Sequence, residues 1–247
     1  MKNILLIDAA ARQDSRTRGL AEHLLGRLSG KVTRLCLCQT KIPALDGELL
    51  RWRNACCASG DFSDPYFSLA KQLASADIIV IAAPYWDLSF PAVLKQYVEA
   101  VSVIGVTFAY SDEGMPVGLC RAEKLYYVTT SGGPIVNDEL GYGYIRSVFH
   151  DMYGVKETVC IKAEGLDIVG GMWKRSCATP ADPLTTCSLP AHLAYKECPL
   201  PSRDNAPDKG LYFCGSEKDL CQIRPWNPWR SRWGSCGCRP GGYDPGS

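Results

Sequence analysis

The stretch Asp77-Ile78-Ile79-Val80-Ile81-Ala82-Ala83-Pro84-Tyr85-Trp86-Asp87-Leu88-Ser89-Phe90-Pro91 decides how the chain is read. Ile78 to Ala83 is apolar at every position and largely β-branched. A strand of that kind needs cover on both faces, as at the centre of a parallel sheet. Two large aromatics and an acid then follow Pro84 directly. In open α/β sheets, ligands sit beyond the carboxyl ends of the strands, so this is where recognition residues are expected.

Working outward, strand-like and helix-like segments alternate from the N-terminus to about Gly170. Lys2 to Asp8 reads as a buried strand and Thr17 to Leu28 as a helix, with Leu20, Leu24, Leu25 and Leu28 on one face. Lys31 to Cys38 is a second strand. Lys41 to Phe62, with Pro43, Gly47 and Gly60, reads as a long excursion holding about one helical turn. Pro65 to Ala76 suits a helix before the central strand, and Pro91 to Gly105 one after it. Thr107 to Leu119, with Asp112-Glu113-Gly114, reads as a hairpin or rim excursion. Lys124 to Thr130 is a fourth strand, Tyr142 to Met152 a helix and Val155 to Ala163 a fifth strand. Five strands separated by helices predict a flavodoxin-like α/β fold, a doubly wound five-stranded parallel sheet.

Composition narrows the function classes. Of 247 residues, 46% are hydrophobic and 21% charged, and the net charge of +1 offers no field for nucleic acid or an anionic membrane. No segment approaches the roughly 20 apolar residues that span a bilayer. The opening apolar run, Ile4 to Ile7, stops at Asp8, short of the roughly 7–15 residues of a secretory core. A cytoplasmic protein is expected. Cys36, Cys38, Cys56, Cys57, Cys120 and Cys160 form no C-x-x-C pair and are expected as buried or surface thiols in a reducing compartment. His23 and His150 lie far apart and read as packing or surface residues; no catalytic residue and no metal site is predicted.

Three strand ends carry the candidate site. The first strand runs into Asp8-Ala9-Ala10-Ala11-Arg12-Gln13-Asp14-Ser15-Arg16-Thr17-Arg18, with Ser15 or Thr17 as N-cap. Hydroxyls, arginines and free N–H groups at a helix N-terminus make a phosphate site, although alone the stretch reads equally as a capped surface helix. Neither G-x-G-x-x-G nor G-x-x-x-x-G-K-[ST] is present, so neither a dinucleotide fingerprint nor a P-loop is supported. Tyr85 and Trp86 can wall a flat ring. After the fourth strand, Thr129-Thr130-Ser131-Gly132-Gly133-Pro134 lets backbone approach a ligand closely.

At these residues the chain resembles the flavodoxin-like NAD(P)H-dependent oxidoreductases, the family of FMN azoreductases and NAD(P)H:quinone reductases. The resemblance spans residues 1 to about 170. It rests on Ala82 to Asp87 with Phe90-Pro91 and Leu94-Lys95, on Gly105-Val106-Thr107-Phe108, on Thr130 to Gly133 and on Ala163-Glu164-Gly165. It implies FMN as cofactor, with Arg12, Ser15, Arg16 and Thr17 at the phosphate. Pro84, Tyr85, Trp86, Asp87 and Leu88 would lie along the ribityl chain and isoalloxazine, and Thr130, Ser131, Gly132 and Gly133 on the ring's other side. It further implies NADH or NADPH as hydride donor, a quinone, nitro or azo compound as acceptor, and a homodimer. Two departures stand out. Ala10-Ala11-Arg12 replaces the family's frequent Ser-Pro-Arg, and Asp87 stands where azoreductases carry asparagine. The alternatives are a flavodoxin-like electron carrier without a pyridine-nucleotide site, or an inactive domain bearing a Cys-rich metal-binding or interaction tail.

Residues 171–247 break the pattern. They hold 10 of the 16 prolines, 4 of the 6 tryptophans and 7 of the 13 cysteines, and no valine. A low-order tail is expected. Cys214, Cys221, Cys236 and Cys238 lack the spacing of zinc knuckles. Met172-Trp173 fixes the codons ATG TGG. Read one base earlier, the stretch gives Asp, Asn, His or Tyr, then Val, then Glu, and it can continue Ala-Ile-Leu, a capped amphipathic helix start. This points to a frameshift near Gly170-Gly171.

Overall fold

The computed structural model describes residues 1–168 and the short strand Arg175–Cys177. The expectations for a low-order tail, a frameshift and the four late cysteines fall outside the described residues.

Five strands lie parallel in one sheet: β1 (Asn3–Asp8), β2 (Lys31–Cys36), β3 (Ile78–Ala82), β6 (Lys124–Thr130) and β7 (Glu157–Ala163). β4 (Phe108–Tyr110) and β5 (Pro116–Gly118) form the expected rim hairpin, apart from the main sheet. Sheet order is β2-β1-β3-β6-β7, the doubly wound flavodoxin-like topology. A sixth strand, β8 (Arg175–Cys177), adds antiparallel to β7 with Ile161 opposite Cys177. It was not foreseen, because three residues are too few to show a period.

Period-2 alternation sorts the core into two layers. Leu5, Ile7, Ile79, Ile81, Leu125 and Tyr127 face α3 (Ser68–Ser75), α4 (Ala92–Val101) and the turns around α5 (Tyr144–Arg146). Ile4, Leu6, Ile78, Val80, Tyr126, Val128, Val159 and Ile161 face the other way, onto Leu20, Ala21, Leu24 and Leu25 of α1 (Arg16–Leu25). The central strand β3 is buried at all five positions, as its unbroken apolar run predicts.

Two expectations need correction. The excursion at 41–62 contains a full helix, α2 (Gly47–Ser59), and not a single turn. It buries no side chain completely, so no apolar stripe announces it. Its caps define it instead: Asp46 accepts from the N–H groups of Glu48 and Leu49, and Gly60 closes the end at φ 70°. The helix expected at 142–152 is regular only at Tyr144–Arg146, with wider turns at Glu139–Gly143 and Ser147–Met152.

Cys38 is exposed and Cys160 buried, and burial pushes the Cys120 thiol up to about 12. Among the described residues, no helix is long and apolar enough to cross a membrane, and no cluster of three or more His, Cys, Asp or Glu is set to hold a metal.

Candidate functional site

Each loop at the carboxyl rim is built by bonds that extend the sheet. After β1, Ser15 caps α1 and its Oγ accepts from the Arg18 N–H at 3.3 Å. The N–H groups of the first helical turn have no intrahelical acceptor, so those of Arg16 and Thr17 remain open to a ligand. Thr17 is buried, and its hydroxyl lies 2.7 Å from that of Thr130 at the end of β6. One hydrogen bond thereby joins the helix start to the third loop. Arg16 reaches across the rim, donating to the Leu166 carbonyl at 3.0 Å and to Asp167 at 2.8 Å.

After β3, the ladder continues past the strand: Ala83 N–H donates to the Val128 carbonyl and Tyr85 N–H to the Thr130 carbonyl, both at 3.0 Å. The chain then reverses over Asp87-Leu88, with Trp86 and Ser89 exchanging backbone bonds of 3.1 and 2.7 Å. Both central residues take left-handed backbone, φ 51° and 65°. After β6, Ser131, Gly132 and Gly133 pair with Gly165, Leu166 and Asp167 through backbone bonds of 3.0–3.1 Å. A Cβ on Gly132 would sit 2.1 Å from an Asp167 carboxylate oxygen, so a larger residue there would require the Asp167 side chain to swing aside.

These loops enclose one cavity of about 440 Å³. Of the residues expected in the site, Arg12, Ser15, Arg16, Thr17, Pro84, Tyr85, Trp86, Thr130, Ser131 and Gly132 line it. Asp87, Leu88 and Gly133 are exposed and are not among its lining residues. The acid predicted to sit against a bound ring therefore faces solvent. Ala10, Ala11 and Asp14 of the first loop also line the cavity, as does Asp167, which was not foreseen. Asp167 follows the fifth parallel strand, and the rule that ligands meet strand carboxyl ends marks that loop too. Neither His23 nor His150 is among the lining residues.

A family model described as a flavodoxin-like fold matches residues 2–169. An FMN-dependent NADH:quinone oxidoreductase of Clostridium acetobutylicum is 44% identical over 106 residues, covering 41% of this chain and 52% of that protein. The enzyme of the same name from Coprothermobacter proteolyticus is 30% identical over 182 residues, covering 69% of this chain and 90% of its own. The chain thus spans about half the length of the Clostridium relative and most of the Coprothermobacter one. Among solved structures, an azoreductase from Bacillus anthracis superposes with a TM-score of 0.57 at 25% identity, covering 68% of this chain and 88% of that one.

Proposed function

The chain belongs to the flavodoxin-like fold family, and from that premise we propose that it is an FMN-dependent oxidoreductase drawing hydride from NADH for a quinone or azo acceptor. The observation that carries the reading is the single cavity bounded by three strand-end loops of complementary chemistry.

The donor set fits FMN. At one end, the Ser15 and Thr17 hydroxyls, the Arg12 guanidinium and the open N–H groups of the first turn of α1 suit a phosphate. The positive end of the helix dipole adds about 0.3–1 kcal/mol for an anion there. At the other end, Tyr85 and Trp86 offer flat apolar faces, and the Ser131-Gly132 backbone offers polar atoms at the ring edge. A volume of about 440 Å³ lies within the roughly 300–1,000 Å³ of small-molecule sites. FMN, when bound, accepts a hydride at N5 from the nicotinamide and yields two electrons with their protons to the acceptor. The protein's residues hold and orient. Thr17, tied to Thr130, keeps the phosphate end in register with the ring end. Arg16, paired with Asp167, braces the far wall and leaves Arg12 as the cation facing the phosphate. Trp86, 40% exposed, leaves one face of the ring accessible so that donor and acceptor use the same place in turn.

The exposed apolar side chains of Trp86, Leu88 and Leu140 support a homodimer formed over this rim. Ser89 Oγ, 2.5 Å from the Leu140 carbonyl, holds the two loops together. Cytoplasmic residence belongs to the same reading, as does the division into a flavin domain at 1–170 and a frameshifted segment at 171–247. Among the described residues, α1 is the helix packed on the Ile4–Leu6 face, whereas the opposite face carries α3, α4 and the 139–152 turns. A second helix after β7 would balance the sheet, and the shifted reading frame can encode the start of one.

Anaerobic stopped-flow mixing of the flavin-loaded chain with NADH tests the activity. Bleaching of the flavin band within the mixing experiment, followed by reoxidation with a benzoquinone, is expected. Reduction by dithionite but not by NADH or NADPH would make the protein an electron carrier instead.

A further inference from the structure

Arg18, in the first turn of α1, lies outside the cavity just described, yet its side chain makes four hydrogen bonds to the end of β1 and the loop that follows. Its Nε donates to Asp8, which also accepts from the Ala10 N–H at 2.9 Å. Its Nη1 donates to the carbonyls of Arg12 and Gln13 at 2.8 and 2.9 Å, and its Nη2 to that of Ala10 at 2.8 Å. The planar fork thus collects three carbonyls of one loop, a task its fixed donor geometry suits and a lysine ammonium does not.

In a trans peptide the N–H points opposite to the carbonyl, and no cis bond occurs among the described residues. Carbonyls of Ala10, Arg12 and Gln13 drawn onto Arg18 therefore turn the N–H groups of Ala11, Gln13 and Asp14 away from it. The loop is a wall between two cavities. Arg18 lines the rear one with Glu22, Arg34, Cys36 and Cys38. Arg12, Asp14 and Ser15 line the front one.

We infer that Arg18 is a positioning residue for phosphate recognition, a clamp behind the loop that aims backbone N–H groups at the front cavity. This rests on the reading of that cavity as the FMN site. Asp8 neutralises the guanidinium, so Arg18 supplies geometry to the site rather than net charge. The aimed amides form an anion-binding nest continuous with the start of α1.

The test uses the full chain and two ligands that differ by the phosphate, FMN and riboflavin, titrated by quenching of flavin fluorescence. Arg18→Met is expected to weaken FMN at least tenfold while riboflavin affinity stays within twofold of the parent, and Arg18→Lys to fall between. Equal weakening of both flavins, or no weakening of FMN, would overturn the inference. So would loss of the native circular dichroism in both variants, since Arg18 would then hold the whole fold and not the loop. Failure of the parent chain to bind FMN is a different result: it removes the reading of the cavity, and this inference with it.

Discussion

Asp87 and Leu88 sit at the two central positions of a reversed turn that demands positive φ at both, and neither is a glycine. Left-handed backbone costs an ordinary residue roughly 1–2 kcal/mol, more readily tolerated by Asp than by Leu. Leu88 is 49% exposed, so it recovers little of that by burial. Leu88→Gly is therefore expected to leave stability unchanged or raise it by about 1 kcal/mol, after the loss of unfolded-chain stiffness is subtracted. Urea unfolding midpoints check this, and a drop of more than about 1 kcal/mol would mean that the Leu88 side chain contributes packing. Of the residues at this turn, Trp86 lines the cavity, whereas Asp87 is exposed and does not.

At the scale of elements, α2 shows what a sequence pattern conceals. Its caps are its signature, and both are open to test. Asp46→Ala removes the acceptor for two N–H groups and is expected to cost about 0.5–2 kcal/mol. Gly60→Ala meets no atom within 4 Å, so its expected cost, about 1 kcal/mol, is purely that of a Cβ at φ 70°. Thermal unfolding with both variants measures it, and unchanged midpoints would deny that the caps stabilise the helix. β1 and β3 were legible as short apolar runs buried on both faces, whereas the edge strand β2 has no fully buried residue and shows only a weaker alternation. The hairpin was legible from Asp112-Glu113-Gly114. α2 was hidden because no apolar stripe marks it, and the 139–152 segment because its wider turns break the 3.6 period. In the site, Ser15, Thr17, Trp86 and Gly132 could be read from chemistry at strand ends. The places of Asp87 and Asp167 depend on turn geometry and on a glycine contact that no local pattern carries.

At the scale of the whole molecule, one strip of rim carries the candidate site while the two core layers hold it in place. A closing helix after β7 would bury several aliphatic side chains at roughly 1.5–3 kcal/mol each, against a usual net stability of about 5–15 kcal/mol. Shifting the reading frame by one base before Met172 is expected to raise the unfolding midpoint markedly. An equal midpoint would leave the frameshift proposal without physical support. FMN itself should act in the same direction, contributing about 2.7 kcal/mol at a hundredfold excess over its dissociation constant.

The central claim, that three loops on one rim form one flavin site, is tested most directly by equilibrium titration of the full chain with FMN. Saturable binding of one FMN per chain is predicted, weakened at least tenfold by Thr17→Val and by Trp86→Ala alike, and unchanged by His150→Ala. Those two substitutions act on different loops, so a loss from both means that one ligand spans them. A colourless protein that binds no added FMN, or one that binds it equally well in every variant, would contradict the account.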